Sequence, residues 1–381
     1  MTSFAHIRKI AAILVLSTAL VAVGVGTASA LPRTFTLKGG GFGHGIGMGQ
    51  YGAHGLARRG ESYKSILKHY YSGTSVSKAD TRTIRVILKL GSSSVKFRGA
   101  SIATGGVALN RARTYTARRV GSRIRLQRGS RVIRSYDGRM TVAAGSAATR
   151  VYGKAIGGLS NGRYRGEIDF RRSELGGLAT VNELSLDDYV QGVVPGEIPS
   201  SWHREALRAQ AVAARSYALT TKAGGSLFDQ WPDTRSQVYR GVNVETSATN
   251  AAVRATAGEV VKYKGRVATT YFYSTSGGET ESIENVWDSK PVPYLKAVKD
   301  PQDKLSPYHR WTVRMTRRRL QSKLGGFVRG QLKDIRVTKR GTSPRIVRAR
   351  VVGTRGSRNI SGTELRTRLG LRSTWVTFRK R

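Results

Sequence analysis

Residues 39–55 read GGGFGHGIGMGQYGAHG, and nine of these seventeen are glycine. Glycine loses more backbone freedom on ordering than any other residue, so a run like this resists becoming a long regular helix or strand. Glycine at such density suits a backbone that takes positive φ or lies against a ligand or another segment with no Cβ between. No G-x-x-x-x-G-K-[ST] pattern is present, which removes the P-loop reading. Between the glycines stand His44, Met48, Gln50 and Tyr51. A ring donor, an amide and an aromatic face are the mixture an extended sugar chain needs: stacking with several hydrogen bonds.

The first thirty residues have a different character. Arg8 and Lys9 precede an apolar run over 10–25, and Ala28-Ser29-Ala30 forms a small-residue cleavage site before Leu31. This reads as a secretory signal peptide. The other reading is an uncleaved anchor, for which the run is short. Either way the expected location is secreted, in the cell wall or at the outer face of the cytoplasmic membrane. Lys and Arg number 66 against 23 Asp and Glu, a formal charge of +43. Such a surface attracts polyanions. For an exported chain these are the anionic polymers of the envelope, so nucleic acid is not expected as a partner. Cysteine is absent, which excludes disulfides and thiolate metal sites, and none of the six histidines falls in an H-E-x-x-H pattern.

Patterning along the chain indicates an α+β fold, rich in strands with a few helices. A short strand is expected at 34–38 and a helix at 63–71, where Ile66, Leu67, Tyr70 and Tyr71 have helical spacing. From 80 to about 172, short β-type runs alternate with Gly, Asn and Asp. Around 195–199, Pro195 and Pro199 bracket a rigid loop carrying Glu197. A helix follows, with Ser200 or Ser201 as N-cap and an apolar stripe of Leu207, Ala211, Ala214 and Ala218. Strands are expected at 259–264 and 267–274, and a short helix at 362–369.

Glu197 is the acid that stands out, flanked by Val193, Val194, Ile198 and Trp202. Apolar surroundings raise a carboxyl pKa, and a carboxylic acid protonated near neutrality can donate to a leaving oxygen. The plainer reading is a carboxylate that serves a helix end. Asp187 and Asp188 offer a second carboxylate or, more simply, form a turn. Arg208 and Arg215 lie seven apart on one helix face, as a clamp or as surface charge, and Gln210 points elsewhere.

Several stretches resemble the SpoIID/LytB family: GFGHGIGMGQYGAHGLARRG, LSLDDYVQGVVPGEIPSSWHREALRAQAVAARSYAL, SQVYRG, TAGEVVKYKG, TYFYSTSGGETES and ISGTELRTRLGLRST. The resemblance implies a SpoIID-like catalytic domain with a substrate groove between subdomains. It also implies lytic transglycosylase activity on the MurNAc–GlcNAc bonds of peptidoglycan glycan strands, preferably those stripped of stem peptides. On this resemblance the catalytic glutamate falls on Glu197. The supporting residues fall on Arg208, Gln210 and Arg215, and Tyr271, Ser274 and Ser276 come near the cleft, as do His44, Met48, Gln50 and Tyr51. The other reading is a non-catalytic glycan-binding enhancer of an N-acetylmuramoyl-L-alanine amidase, which would be its partner.

Some relatives bind zinc through cysteines. Here Ser236 precedes Gln237 and cysteine is lacking, so no metal or cofactor is expected. The Gly-His-Gly motif opens the chain where the family pattern closes with it, which implies a permuted order and places the 34–38 strand beside residues 373–378. The implied organisation is a signal peptide at 1–30, the Gly-His-Gly segment at 31–78 and a β-rich subdomain at 79–175. A catalytic core at 176–314 and a completing α+β segment at 315–381 follow.

Overall fold

Two six-stranded antiparallel sheets lie face to face over the β-rich part of the chain. The computed structural model describes residues 31–80 and 82–381, so the signal-like segment 1–30 lies outside the described residues. One sheet is built on the pairing of Thr83–Ser92 with Leu178–Ser185 and continues through Glu167–Arg172 and Arg139–Ala143. The other runs Arg131–Asp137, Arg123–Arg128, Thr114–Val120, Ser94–Arg98, Thr149–Val151 and Arg163–Tyr164. Alternation explains the packing. Phe97, Tyr115, Ile124 and Leu126 point inward from one sheet and Val86, Met140, Ile168 and Phe170 from the other, in one apolar cluster.

Seven helices among the described residues complete the α+β fold: α1 (Gln50–Arg58), α2 (Tyr63–Tyr70), α3 (Leu186–Glu197), α4 (Arg204–Thr220), α5 (Ser247–Ala255), α6 (Arg317–Leu324) and α7 (Gly362–Leu369). The sandwich's cluster continues without a break into α3 and α4 through Val190, Val194, Leu207, Ala211, Ala214 and Ala218. The opposite side of α4 presents Ala206, Ala209, Val212 and Ala213 to a second cluster with α1, α2 and Val261. Helix α4 is therefore buried on both sides. Its run of alanines lets two layers approach one backbone closely, where larger side chains would hold them apart.

The strands near residues 34 and 376 meet as the motif order implied. Strand Thr34–Gly39 lies between Trp311–Thr316 and Val376–Lys380, antiparallel to both, with Leu37 opposite Phe378. A third apolar cluster backs this sheet, containing Phe35, Leu37, Trp311, Leu365 and Val376.

Three local expectations need correction. Residues 50–58, glycines included, are helical, because Ala53 and Ala57 bury against α4's cluster and tertiary packing overrides the weak propensity. Glu197 is not on a Pro-bounded loop. It is the last residue of α3, whose final turn contains Pro195 and which stops where Ile198 turns extended before Pro199. The N-cap of α4 is His203, whose Nδ1 accepts from the Glu205 N–H, and neither Ser200 nor Ser201.

Candidate active site

The glycine run is the inner wall of a cleft. Met48–Gly49 pairs in parallel with Phe272–Tyr273, and Phe42 bridges to Thr275. At Gly47, φ is +72°, and a Cβ there would stand 2.1 Å from the Tyr271 carbonyl oxygen, so no other residue fits this approach. The bare backbone thus lets residues 42–50 lie directly on 271–275 and present His44 and Gln50 to the same space.

Across that space stands Glu197, half-buried at the end of α3. Segment 236–240 lies against this helix end. A Cβ on Gly196 would fall 2.6 Å from the Val238 carbonyl, so glycine here is what allows the contact. The approach places the Val238 N–H 2.7 Å from Glu197 Oε1, to which it donates. Burial pushes the Glu197 carboxyl up to about 7, against the opposing pull of that N–H and of the Gln50 side chain. Gln50 also donates to Gln210 Oε1 at 3.3 Å, and Gln210 is fully buried on α4. A polar file therefore runs from α4 through α1 to the acid.

The cleft has a volume of about 730 Å³. Besides His44, Gln50 and Glu197, its walls carry Tyr217, Tyr271, Ser274, Trp287, Arg235 and Arg366. The aromatic rings support one another: Tyr271 meets Trp287 edge-on at 4.7 Å and Tyr217 at 5.8 Å. His44 packs at 5.3 Å from Trp287. Its Nδ1 accepts from the Ile46 N–H at 3.0 Å and its Nε2 faces the Phe272 carbonyl at 3.1 Å, so the proton sits on Nε2. Burial and the nearby Arg366 hold its pKa down at about 3, with the ring neutral and both nitrogens engaged.

The other sequence-derived candidates lie outside the cleft wall. Arg215 is fully buried and binds Asp187 at 2.7 Å and the Glu259 carbonyl at 2.9 Å, tying α4 to α3 and to strand Glu259–Tyr263. Arg208 pairs with Glu205 at 2.7 Å. The two arginines do not form a clamp. Asp187 and Asp188 occupy the first turn of α3, ten residues and about 15 Å along the helix from Glu197 in the case of Asp187. Met48 is a core residue and Ser276 is buried, its hydroxyl accepting from the Gly278 N–H. Tyr51 stacks edge-on against Trp202 at 4.8 Å. Among the described residues no three His, Asp or Glu side chains gather closely enough to hold a metal ion.

Residues 174–263, which include α3, Glu197 and α4, match the family model described as SpoIID, Stage II sporulation protein. Over 214 residues the chain is 34% identical to Stage II sporulation protein D of Bacillus subtilis (strain 168), covering 51% of this chain and 60% of that one. Over 135 residues it is 44% identical to the Amidase enhancer of the same organism, covering 35% and 18%. A Brachyspira hyodysenteriae protein of uncharacterised role is 44% identical over 124 residues. This chain carries a SpoIID-family segment at residues 174–263. The chain spans 60% and 18% of the two Bacillus relatives' lengths. The cleft is assembled from parts far apart in sequence: the matched segment supplies Glu197 and Tyr217, while His44, Tyr271, Trp287 and Arg366 come from outside it. Trp287 escapes a motif reading because it is a lone residue, 90 positions from Glu197, and Arg366, though inside the quoted 360–374 stretch, is one of several arginines there with nothing local to single it out.

Proposed function

We propose that this protein is a peptidoglycan lytic transglycosylase that cleaves MurNAc–GlcNAc bonds with Glu197 as acid and then base. The observation that carries the reading is a single carboxyl, raised to about 7 by burial, facing an aromatic-walled cleft. In the first step Glu197 donates its proton to the glycosidic oxygen as the bond from that oxygen to the muramyl C1 breaks. The C6 hydroxyl of the same sugar then closes on C1, and its proton passes to the Glu197 carboxylate. The product is a 1,6-anhydro ring, the acid is regenerated, and no water is consumed. A second carboxylate is unnecessary, in keeping with Asp187 being occupied by Arg215. His44 is neutral with both ring nitrogens engaged, so it shapes the wall and moves no proton. The Val238 N–H and the Gln50 amide steady the carboxylate formed between the two steps. Tyr217, Tyr271 and Trp287 supply ring faces for sugars.

The second reading is a glycan-binding enhancer of a cell-wall amidase, favoured by the 44% identity to the Amidase enhancer. The test is incubation of the chain with glycan strands stripped of stem peptides, scored for anhydro-muramyl ends by mass spectrometry. Wild type is expected to form them and Glu197→Gln is not. Strand binding without anhydro ends from folded wild type would favour the enhancer.

A further inference from the structure

The outer sheet of the sandwich carries an arrangement that folding alone does not explain. In an antiparallel ladder, side chains directly opposite one another stand with Cβ atoms about 4.5–5.5 Å apart, and like charges there are destabilising. On this sheet Arg163 lies opposite Arg150, Arg150 opposite Arg98, and Arg118 opposite Arg125. Lys96 shares the face between the two rows, two residues from Arg98 and opposite Thr116. All six are exposed, while their strand neighbours Phe97, Ala117, Ile124 and Val151 are buried. Among the described residues none of the six makes an ion pair. The carboxylates Asp169, Asp188, Asp229 and Glu245 are taken by other arginines. The six strands contain one acid, Asp137, opposite Arg123 at the end of an edge strand.

We infer that this face is a binding surface for a linear phosphodiester polyanion, separate from the Glu197 cleft and beyond the catalytic reading. A chain of phosphates would neutralise rows that otherwise repel. The chemistry of the face selects among polyanions. Its aromatic residues Tyr115, Tyr136 and Tyr164 are turned inward and buried, so there is no stacking platform for the bases of a single strand. The exposed apolar side chains of this sheet are Val120 at a strand end and Val132 and Ile133 on the edge strand Arg131–Asp137, too few for the continuous wedge that inserts into a bilayer. Between the cations stand Ser94, Thr114, Thr116 and Gln127, which suit a hydroxyl-bearing backbone.

The test measures binding of a synthetic poly(glycerol phosphate) chain to the protein across a salt series. The face variant is Arg98→Ser with Arg150→Ser and Arg163→Ser. A control removes equal charge from exposed positions elsewhere, Arg318→Ser with Arg319→Ser and Lys333→Ser. The face variant is expected to bind about tenfold more weakly or worse and to lose roughly two units of salt slope, with the control little changed. The face variant's melting temperature should be unchanged or higher, since like-charge neighbours are relieved. Equal losses in both variants would overturn the site, because charge alone would then suffice. Tighter binding to phosphatidylglycerol vesicles or to a single-stranded DNA oligonucleotide would overturn the choice of partner. Glu197→Gln should bind as wild type does, so this result stands apart from the catalytic one.

Discussion

In the sandwich, strand Arg123–Arg128 buries Ile124 and Leu126 and leaves its arginines in water. Around the cleft the order is reversed: Gln50, Gln210 and, behind α1, Asp300 are drawn inside, with Glu197 half-buried beside them. Among the described residues Gln210 Nε2 and Asp300 Oδ2 find no hydrogen-bond partner. Both regions share an apolar cluster through α3 and α4, so the difference is not one of core quality. The sandwich gains its stability from alternation, and solvent screening limits, without removing, the repulsion along its charged rows. The cleft region holds polar groups in surroundings that penalise their charged forms, which is how a carboxyl comes to keep its proton near neutrality. Its neighbours keep it in place: crowded glycines, a buried arginine and α4 packed on both sides.

The largest expected effect separates the two regions by activity. Glu197→Gln should lower anhydro-product formation by about 10²–10⁴-fold, the usual reach of general acid–base catalysis. Its circular dichroism should stay close to wild type, since a glutamine oxygen still accepts from the Val238 N–H, and its melting temperature should match wild type at pH 4 and rise by a few degrees at pH 8, where the raised carboxyl is costly. Next comes crowding. A Cβ on Gly52 would lie 2.1 Å from Asp300 Oδ1 and 2.2 Å from the Tyr70 hydroxyl, whereas one on Gly121 in a sandwich hairpin meets nothing within 4 Å. Gly52→Ala should cost about 1–3 kcal/mol in urea unfolding. Gly121→Asn, at a φ of +59° that asparagine tolerates, should cost under about 1 kcal/mol. Equal costs would erase the contrast.

Acidity gives a smaller, signed effect. Burial and then Asp303 push Asp300 up to about 7 from its ordinary 3.8. Between those values the folded protein holds a proton that the unfolded chain releases, so stability falls as pH rises through the window and is unaffected below it. Asp300→Asn should therefore raise the melting temperature at pH 8 by a few degrees and change it less at pH 4. His44 works in the opposite sense: with its pKa at about 3 when folded, stability is lost as pH falls from 6.5 through 3. The smallest effect belongs to the sandwich. Arg98→Thr removes one repulsion with Arg150 and should stabilise by no more than about 0.5 kcal/mol in the same urea assay.

Much of the fold is readable from local pattern. The helix at 362–369 matches Gly362–Leu369, whose Ser361 caps the Glu364 N–H and whose Gly370 turns left-handed. The strand near residue 34 and the strand near 376 are read separately, and their adjacency comes from motif order. Helix α1 is not readable, since glycine has poor propensity and only the α4 surface makes its alanines count. The site is legible in part. Glu197 stands out by its apolar flanks and His44 and Gln50 by their glycine setting, and the cleft brings these three together. Arg208 and Arg215 mislead because helical spacing shows that two residues share a side without showing what lies beneath. Arg208 stands partly exposed beside Glu205, and Arg215 is itself fully buried and reaches out to a partly exposed Asp187.

The central claim is that the Glu197 carboxyl keeps its proton near neutral pH. It is tested most directly by a ¹³C NMR titration of glutamate-labelled protein, with the Glu197 signal assigned by its loss in Glu197→Gln. A midpoint about 7 is the expected result. A midpoint near 4.5, the ordinary glutamate value, would contradict the account.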